Sequence, residues 1–276
     1  MSKNNKGCLR TILFAVVVYN VLRVLISFFT DSSYSSDDYY YVDAACDEYV
    51  LENEETYDRE HQREWKIPQV AASFCIGYPT FESVRRSEEE KRAEMAVPYR
   101  NENFWGALYR NLVDQTGNEL DYLVDSLVNV ATENQYSNLD LARLTVSFVQ
   151  DIPYSFVMPM ECEKYETKGK PCLGNIAYGI ISPYEFLHTL YGDCDTRSVL
   201  LFVLLQKMGF DPMIVVSDEY AHAMLALNIP AQGDYLKYAG KKYYFWETTA
   251  QGWSIGMLPP DTNNKNYWKI ALVNES

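Results

Sequence analysis

The spacing of apolar residues changes from segment to segment along the chain, and each change marks an element. From Thr11 to Phe29 apolar residues are nearly continuous, broken only by Asn20 and Arg23 among the interior positions that matter most. That run of about 19 residues is the length that spans a bilayer. Residues 31–60 then lose any period and turn polar and acidic, which predicts a linker, although Tyr39-Tyr40-Tyr41-Val42 could still pair as a strand. Residues 62–80 contain Pro68 and Pro79, which break any long helix and predict an irregular lead-in. Glu82 to Glu94 reads as the solvated face of a charged helix.

Helical spacing follows. Phe104, Ala107, Leu108 and Leu112 share one face, as do Leu120, Leu123, Val124, Leu127, Val128 and Ala131. A third such face, Leu141, Leu144, Thr145 and Phe148, starts after Asn138. Ser182-Pro183-Tyr184-Glu185 has the residues of a capped helix start. Gly192-Asp193 supplies a turn and an N-cap for an apolar helix that runs from Cys194 to Met208 and stops at Gly209. Beyond it Met213–Val216, His222–Leu227 and Tyr243–Trp246 read as strands. Helices in the first part and strands in the last predict an α+β fold, with a helical lobe packed on an antiparallel sheet. The implied organisation is a segment 1–30, an acidic linker 31–60, a helical lead-in 61–137 and a core 138–276.

Charge and cysteine usage add a setting. A net charge of −14 with no basic face argues against a nucleic-acid partner. Lys3, Lys6 and Arg10 precede the N-terminal apolar run and no Ala-x-Ala closes it. This predicts an uncleaved single-pass anchor with its N-terminus inside and the remaining chain outside; a helix packed within the protein is the alternative. Among six cysteines, Cys46, Cys75, Cys162 and Cys172 could pair in three ways, Cys46 with Cys75 and Cys162 with Cys172 being one, or could all stay reduced. Neither metal-ligand spacing nor a glycine-rich phosphate loop is present, so no cofactor is expected.

The candidate chemistry lies between residues 191 and 249. Cys194 falls in the first turn of its helix, where unpaired N–H groups and the helix dipole favour a thiolate, while Asp193 and Asp195 oppose it. A thiolate used for acyl transfer needs an imidazole and a group to orient it. His222 opens a strand and Glu247 ends another. Gln150 is a candidate oxyanion donor alongside the Cys194 backbone N–H. His188, on the short helix before Cys194, is a rival base more readily taken as a partly exposed helix residue, and His61 as solvated. Asp195 and Arg197 are expected to settle the first helical turn, and Tyr220, Tyr243, Trp246 and Trp253 to belong to the core or to line an acyl groove.

Gly192-Asp193-Cys194 before an apolar helix, Ala221-His222-Ala223, and Tyr244-Phe245-Trp246-Glu247-Thr248-Thr249, together with Phe148–Tyr154 upstream, resemble the transglutaminase-like superfamily over roughly residues 138–256. The resemblance implies a papain-like core with a catalytic Cys194, His222 and Glu247, and attack on a peptide or carboxamide carbonyl through a thioacyl intermediate. Hydrolysis and amine transfer both stay open. Glu247 stands where the family usually carries Asp. Two rival readings remain: a catalytically inactive, membrane-tethered binding or scaffold module, and a thiol oxidoreductase, which the lack of a nearby resolving cysteine disfavours.

Overall fold

Most elements follow the apolar periods. The computed structural model describes residues 46–67, 72–98 and 103–275. The predicted anchor and the first part of the predicted linker lie outside them. Among the described residues no helix is long and apolar enough to cross a membrane. The fold is α+β. Among the described residues it has six α-helices, α1 (Glu82–Ala93), α2 (Phe104–Gln115), α3 (Asp121–Glu133), α4 (Asn138–Asp151), α5 (Pro183–Thr189) and α6 (Cys194–Lys207). A hairpin sheet has the order β1 (Tyr49–Glu52), β2 (Arg59–Ile67), β3 (Ala72–Thr80), and a short parallel pair joins β4 (Phe156–Val157) to β5 (Cys172–Leu173). The main sheet is antiparallel throughout. It comprises β6 (Asp211–Ser217), β7 (His222–Asn228), β8 (Tyr235–Tyr238), β9 (Lys241–Trp246) and β10 (Lys269–Val273), in the order β10-β6-β7-β9-β8.

Helix α6 is the centre. Every residue from Val199 to Leu205 is buried, so the helix has no solvent face and needs cover on all sides. Strands β6 and β7 and helices α2, α4 and α5 pack against it. Its start is set as the sequence predicts. The Asp193 side chain accepts from the Thr196 N–H at 3.2 Å and the Thr196 hydroxyl at 3.0 Å. Position 192 must be glycine, because a Cβ there would lie 2.7 Å from Cε2 of Phe186. Helix α5 carries the expected capping box between Ser182 and Glu185. Central strand β7 is buried on both faces. Ala223, Leu225 and Leu227 join the cluster around α6, and Met224 and Ala226 join Tyr243, Phe245 and Trp268.

Two expectations are corrected. Residues 62–67 and 72–80 are not irregular: β2 and β3 pair in register from Arg59↔Thr80 to Ile67↔Ala72. The inward face of β2 is His61, Arg63, Trp65 and Ile67, so two polar residues stand at buried positions and hide the strand's alternation. The second part of the predicted linker also belongs to the fold, since β1 pairs with β2 and Cys46 is bonded to Cys75. A second disulfide joins Cys162 to Cys172, so two of the pairings that the sequence left open are formed.

His61 is likewise buried rather than solvated. Its Nε2 lies 3.0 Å from the Thr80 hydroxyl and its ring stacks on Tyr78 at 4.7 Å. His188 is buried rather than partly exposed, 3.4 Å from Glu82, and its carbonyl accepts from Arg59 at 2.8 Å. Burial first, then His188 and Arg59, pull His61 down to about 3. Burial and then Arg59 pull His188 down to about 4. Both imidazoles therefore fold neutral. The unfolded chain takes up their protons near 6.5 whereas the folded chain does so only well below, so their contribution is full above pH 6.5 and is lost as pH falls toward 4 and 3. Thermal unfolding measured from pH 7 to pH 4 should show a fall in Tm that becomes shallower in His61→Gln and His188→Gln. An unchanged slope in both variants would remove these two histidines as its source.

Candidate active site

The site is assembled from the start of α6 and the ends of two neighbouring strands. A four-residue loop closes β6 onto β7, pairing Ser217 with His222. Its last residue, Ala221, has φ 46°, a left-handed conformation that costs an alanine about 1–2 kcal/mol and turns the chain sharply into His222. The His222 ring packs edge-on against Trp268 at 5.9 Å. Its Nε2 lies 2.8 Å from Oε2 of Glu247, which follows the last residue of β9.

Glu247 is held at both oxygens. Oε1 accepts from the backbone N–H of Thr248 and of Thr249, each at 2.8 Å, and from the Thr249 hydroxyl at 2.7 Å. Burial pushes its pKa up, but the His222 hydrogen bond and charge and the Thr249 contacts outweigh burial and hold Glu247 below the usual carboxylate range. Glu247 is thus an ionised acceptor. An ionised acceptor at Nε2 places the proton there and leaves Nδ1 of a neutral His222 free to take another.

Cys194 is the free thiol among the described residues, buried in the first turn of α6. The backbone of Ala223, one residue beyond His222, favours the thiolate. Burial, then Asp195 and Asp193, act the other way and push the thiol well above its ordinary range. The two carboxyls are themselves shifted upward, chiefly by burial, and Asp195 accepts a hydrogen bond from the Tyr109 hydroxyl. At rest the sulfur therefore carries its proton. Among the described residues no hydrogen bond from Cys194 to the His222 ring is formed. The structure brings His222 and Glu247 into contact and sets the sulfur beside the main chain that carries His222.

Gln150 is placed differently from its expected role. Its amide donates to the carbonyls of Glu247, at 2.6 Å, and Trp253, at 3.0 Å, so both amide hydrogens are spent inside the protein. It positions the Glu247 main chain and offers no free donor to an oxyanion in this arrangement. Arg197 does settle the first turn of α6, through bonds to the carbonyls of Gly192, Val149, Ile152 and Pro153 at 2.6–3.1 Å. Tyr243 and Trp246 are core residues, and the Trp246 ring N–H donates to Trp253 at 3.0 Å. Sequence reasoning missed Tyr109, Tyr154, Thr249 and Trp268. Thr249, two residues past Glu247 in a Glu-Thr-Thr run, was open to recognition as a local donor to that carboxylate. Tyr109 and Trp268 reach the site from distant segments and left no local signal. No family model, curated protein or solved structure matches this chain, and the functional reading rests on the geometry above.

Proposed function

We propose that the chain is a transglutaminase-like cysteine hydrolase or acyltransferase with a papain-like core, using Cys194, His222 and Glu247 on a peptide or carboxamide carbonyl. The observation that carries this reading is the His222–Glu247 pair at 2.8 Å beside a buried free thiol at a helix N-terminus. Nε2 is committed to Glu247. Nδ1, the ring nitrogen nearer the main chain, is left to take the thiol proton as sulfur attacks, and returns it to the leaving amine. Because the resting thiol is protonated, the base must act in the same step as the attack. Water then releases an acid, or an amine takes the acyl group. The N-terminal apolar run and the two disulfides support a membrane-anchored protein whose folded domain lies in an oxidising, extracytoplasmic compartment.

The second reading is a transglutaminase-like domain that serves as a membrane-tethered binding or scaffold module. It is favoured by the burial of the thiol, the two carboxyls that oppose its ionisation and the lack of a direct sulfur–imidazole bond. Alkylation of the full chain by iodoacetamide separates the two. An enzyme labels at Cys194 faster than the denatured chain does, and His222→Ala removes the excess. Labelling no faster than in the denatured control, with no response to His222→Ala, points to the module.

A further inference from the structure

With both amide hydrogens of Gln150 spent, the second donor to a developing oxyanion has to come from elsewhere around the α6 N-terminus. Tyr154 is at that place. Its ring lies against the Arg197 guanidinium, with Cζ 5.6 Å from the ring centroid, and that guanidinium donates to the Gly192 carbonyl at 3.1 Å, two residues before Cys194. The segment carrying Tyr154 is fixed to the same helix start, since the Ser155 N–H donates to Gly192 at 3.3 Å and Arg197 holds the carbonyls of Ile152 and Pro153 at 2.6 and 2.8 Å. From these contacts we infer that Tyr154 is a catalytic residue, its O–H and the Cys194 N–H together receiving the carbonyl oxygen of the substrate. This assignment rests on the acyl-transfer reading given above.

The hydroxyl suits the task. Among the described residues the Tyr154 ring meets Phe156, Lys170 and Arg197 and the hydroxyl donates to no side chain, so the proton stays free for an incoming oxygen. Burial first, then Cys194 and the two carboxyls, raise its pKa, so it remains an O–H donor at any working pH. Two cations polarise it. Lys170 Nζ stands 4.6 Å from the ring centroid and Arg197 Cζ 5.6 Å, and a cation over a phenol draws charge from the ring and strengthens the O–H as a donor. Lys170 reaches that position from the strap between β4 and β5. The Cys162–Cys172 disulfide closes this strap, and Phe156 N–H bonded to the Pro171 carbonyl at 2.8 Å anchors it beside the tyrosine. Lys170 is in this sense a positioning residue.

Sulfur forms a bond to the carbonyl carbon while the thiol proton passes to His222 and the carbonyl π pair moves onto oxygen. Tyr154 and the Cys194 N–H hold that oxygen until the pair returns and the leaving group departs. Acylation by p-nitrophenyl acetate passes through this oxyanion, whereas alkylation by iodoacetamide, a displacement at a saturated carbon, does not. In the full chain purified in mild detergent, Tyr154→Phe should slow the p-nitrophenolate burst about 10²-fold. The iodoacetamide rate at Cys194 should stay within about twofold, because no oxyanion forms in that displacement. Lys170→Met keeps the hydroxyl and should slow the burst by less, again without touching alkylation. A Tyr154→Phe burst equal to that of the parent chain overturns the assignment and leaves the acyl-transfer reading standing. If the parent chain shows no burst and no enhanced alkylation, both fail together. Equal losses in burst and alkylation would reduce Tyr154 to a structural residue and overturn the assignment as well.

Discussion

Replacing Glu247 by Gln is expected to slow acylation of Cys194 by p-nitrophenyl acetate about 10³–10⁴-fold, the cost of presenting an imidazole in the wrong tautomer. The carboxylate now accepts at both oxygens, from His222 on one side and from Thr248 and Thr249 on the other. A Gln amide has one oxygen. If that oxygen stays with the threonines, its NH₂ faces His222 Nε2 and forces the ring proton to Nδ1, the atom that must be free to accept. If the amide turns over, its NH₂ faces two backbone N–H groups. The first arrangement removes the base, and the second loses the frame that aims it. Glu247→Asp tests reach instead of charge. Asp, the usual residue in the family that the sequence resembles, is one methylene shorter, and here the three Thr contacts fix the far oxygen, so a shortened chain keeps either the threonines or His222. A displacement of that order costs about 10²-fold. Bursts in Glu247→Gln and Glu247→Asp equal to that of the parent chain would show that this carboxylate does not orient the base.

Legibility of the chain varied with how its residues encode position. Helices α2 to α6 and strands β6, β7 and β9 could be read because their apolar periods and caps are local, as with Ser182–Glu185 and Asp193 before α6. Strands β2 and β3 could not, because His61 and Arg63 sit on the buried face and find polar partners there, His61 Nε2 at the Thr80 hydroxyl and Arg63 at Glu48 and Asp151, both at 2.9 Å. Periodicity detects apolar burial and is blind to a buried polar residue with a distant partner. The same limit explains the site. Cys194, His222 and Glu247 were picked out by residue type and order along the chain. Which donor faces which acceptor depends on tertiary contacts instead. Gln150, the expected oxyanion donor, turns inward to the Glu247 and Trp253 carbonyls, while Tyr154, four residues on and given no role from the sequence, packs against Arg197 at the start of α6.

Arg197 is the case where such a distant partner set carries the most stability. Its side chain is fully buried, and four of its hydrogen bonds go to main-chain carbonyls. It makes no ion pair among the described residues, and burial lowers its pKa to about 10. A lone buried cation costs several kcal/mol of desolvation, offset here by charge-assisted bonds worth about 1.5–3 kcal/mol each. Arg197→Met preserves length and removes the cation, yet leaves the carbonyls of Val149, Ile152, Pro153 and Gly192 without that donor. Each stranded acceptor costs about 1–3 kcal/mol, so even after the desolvation cost is recovered a net loss of about 3–5 kcal/mol is expected. For a chain of this size that corresponds to a fall in Tm of roughly 10 °C. Arg197→Lys keeps the charge but gives up the fork that reaches several carbonyls at once, and should fall between the two. Since these carbonyls flank Tyr154 and precede Cys194, p-nitrophenyl acetate acylation should decline in the same order as Tm. An Arg197→Met protein with a Tm within about 2 °C of the parent, a loss of no more than about 1 kcal/mol, would mean that the guanidinium is not the clamp that joins the end of α4 to the start of α6.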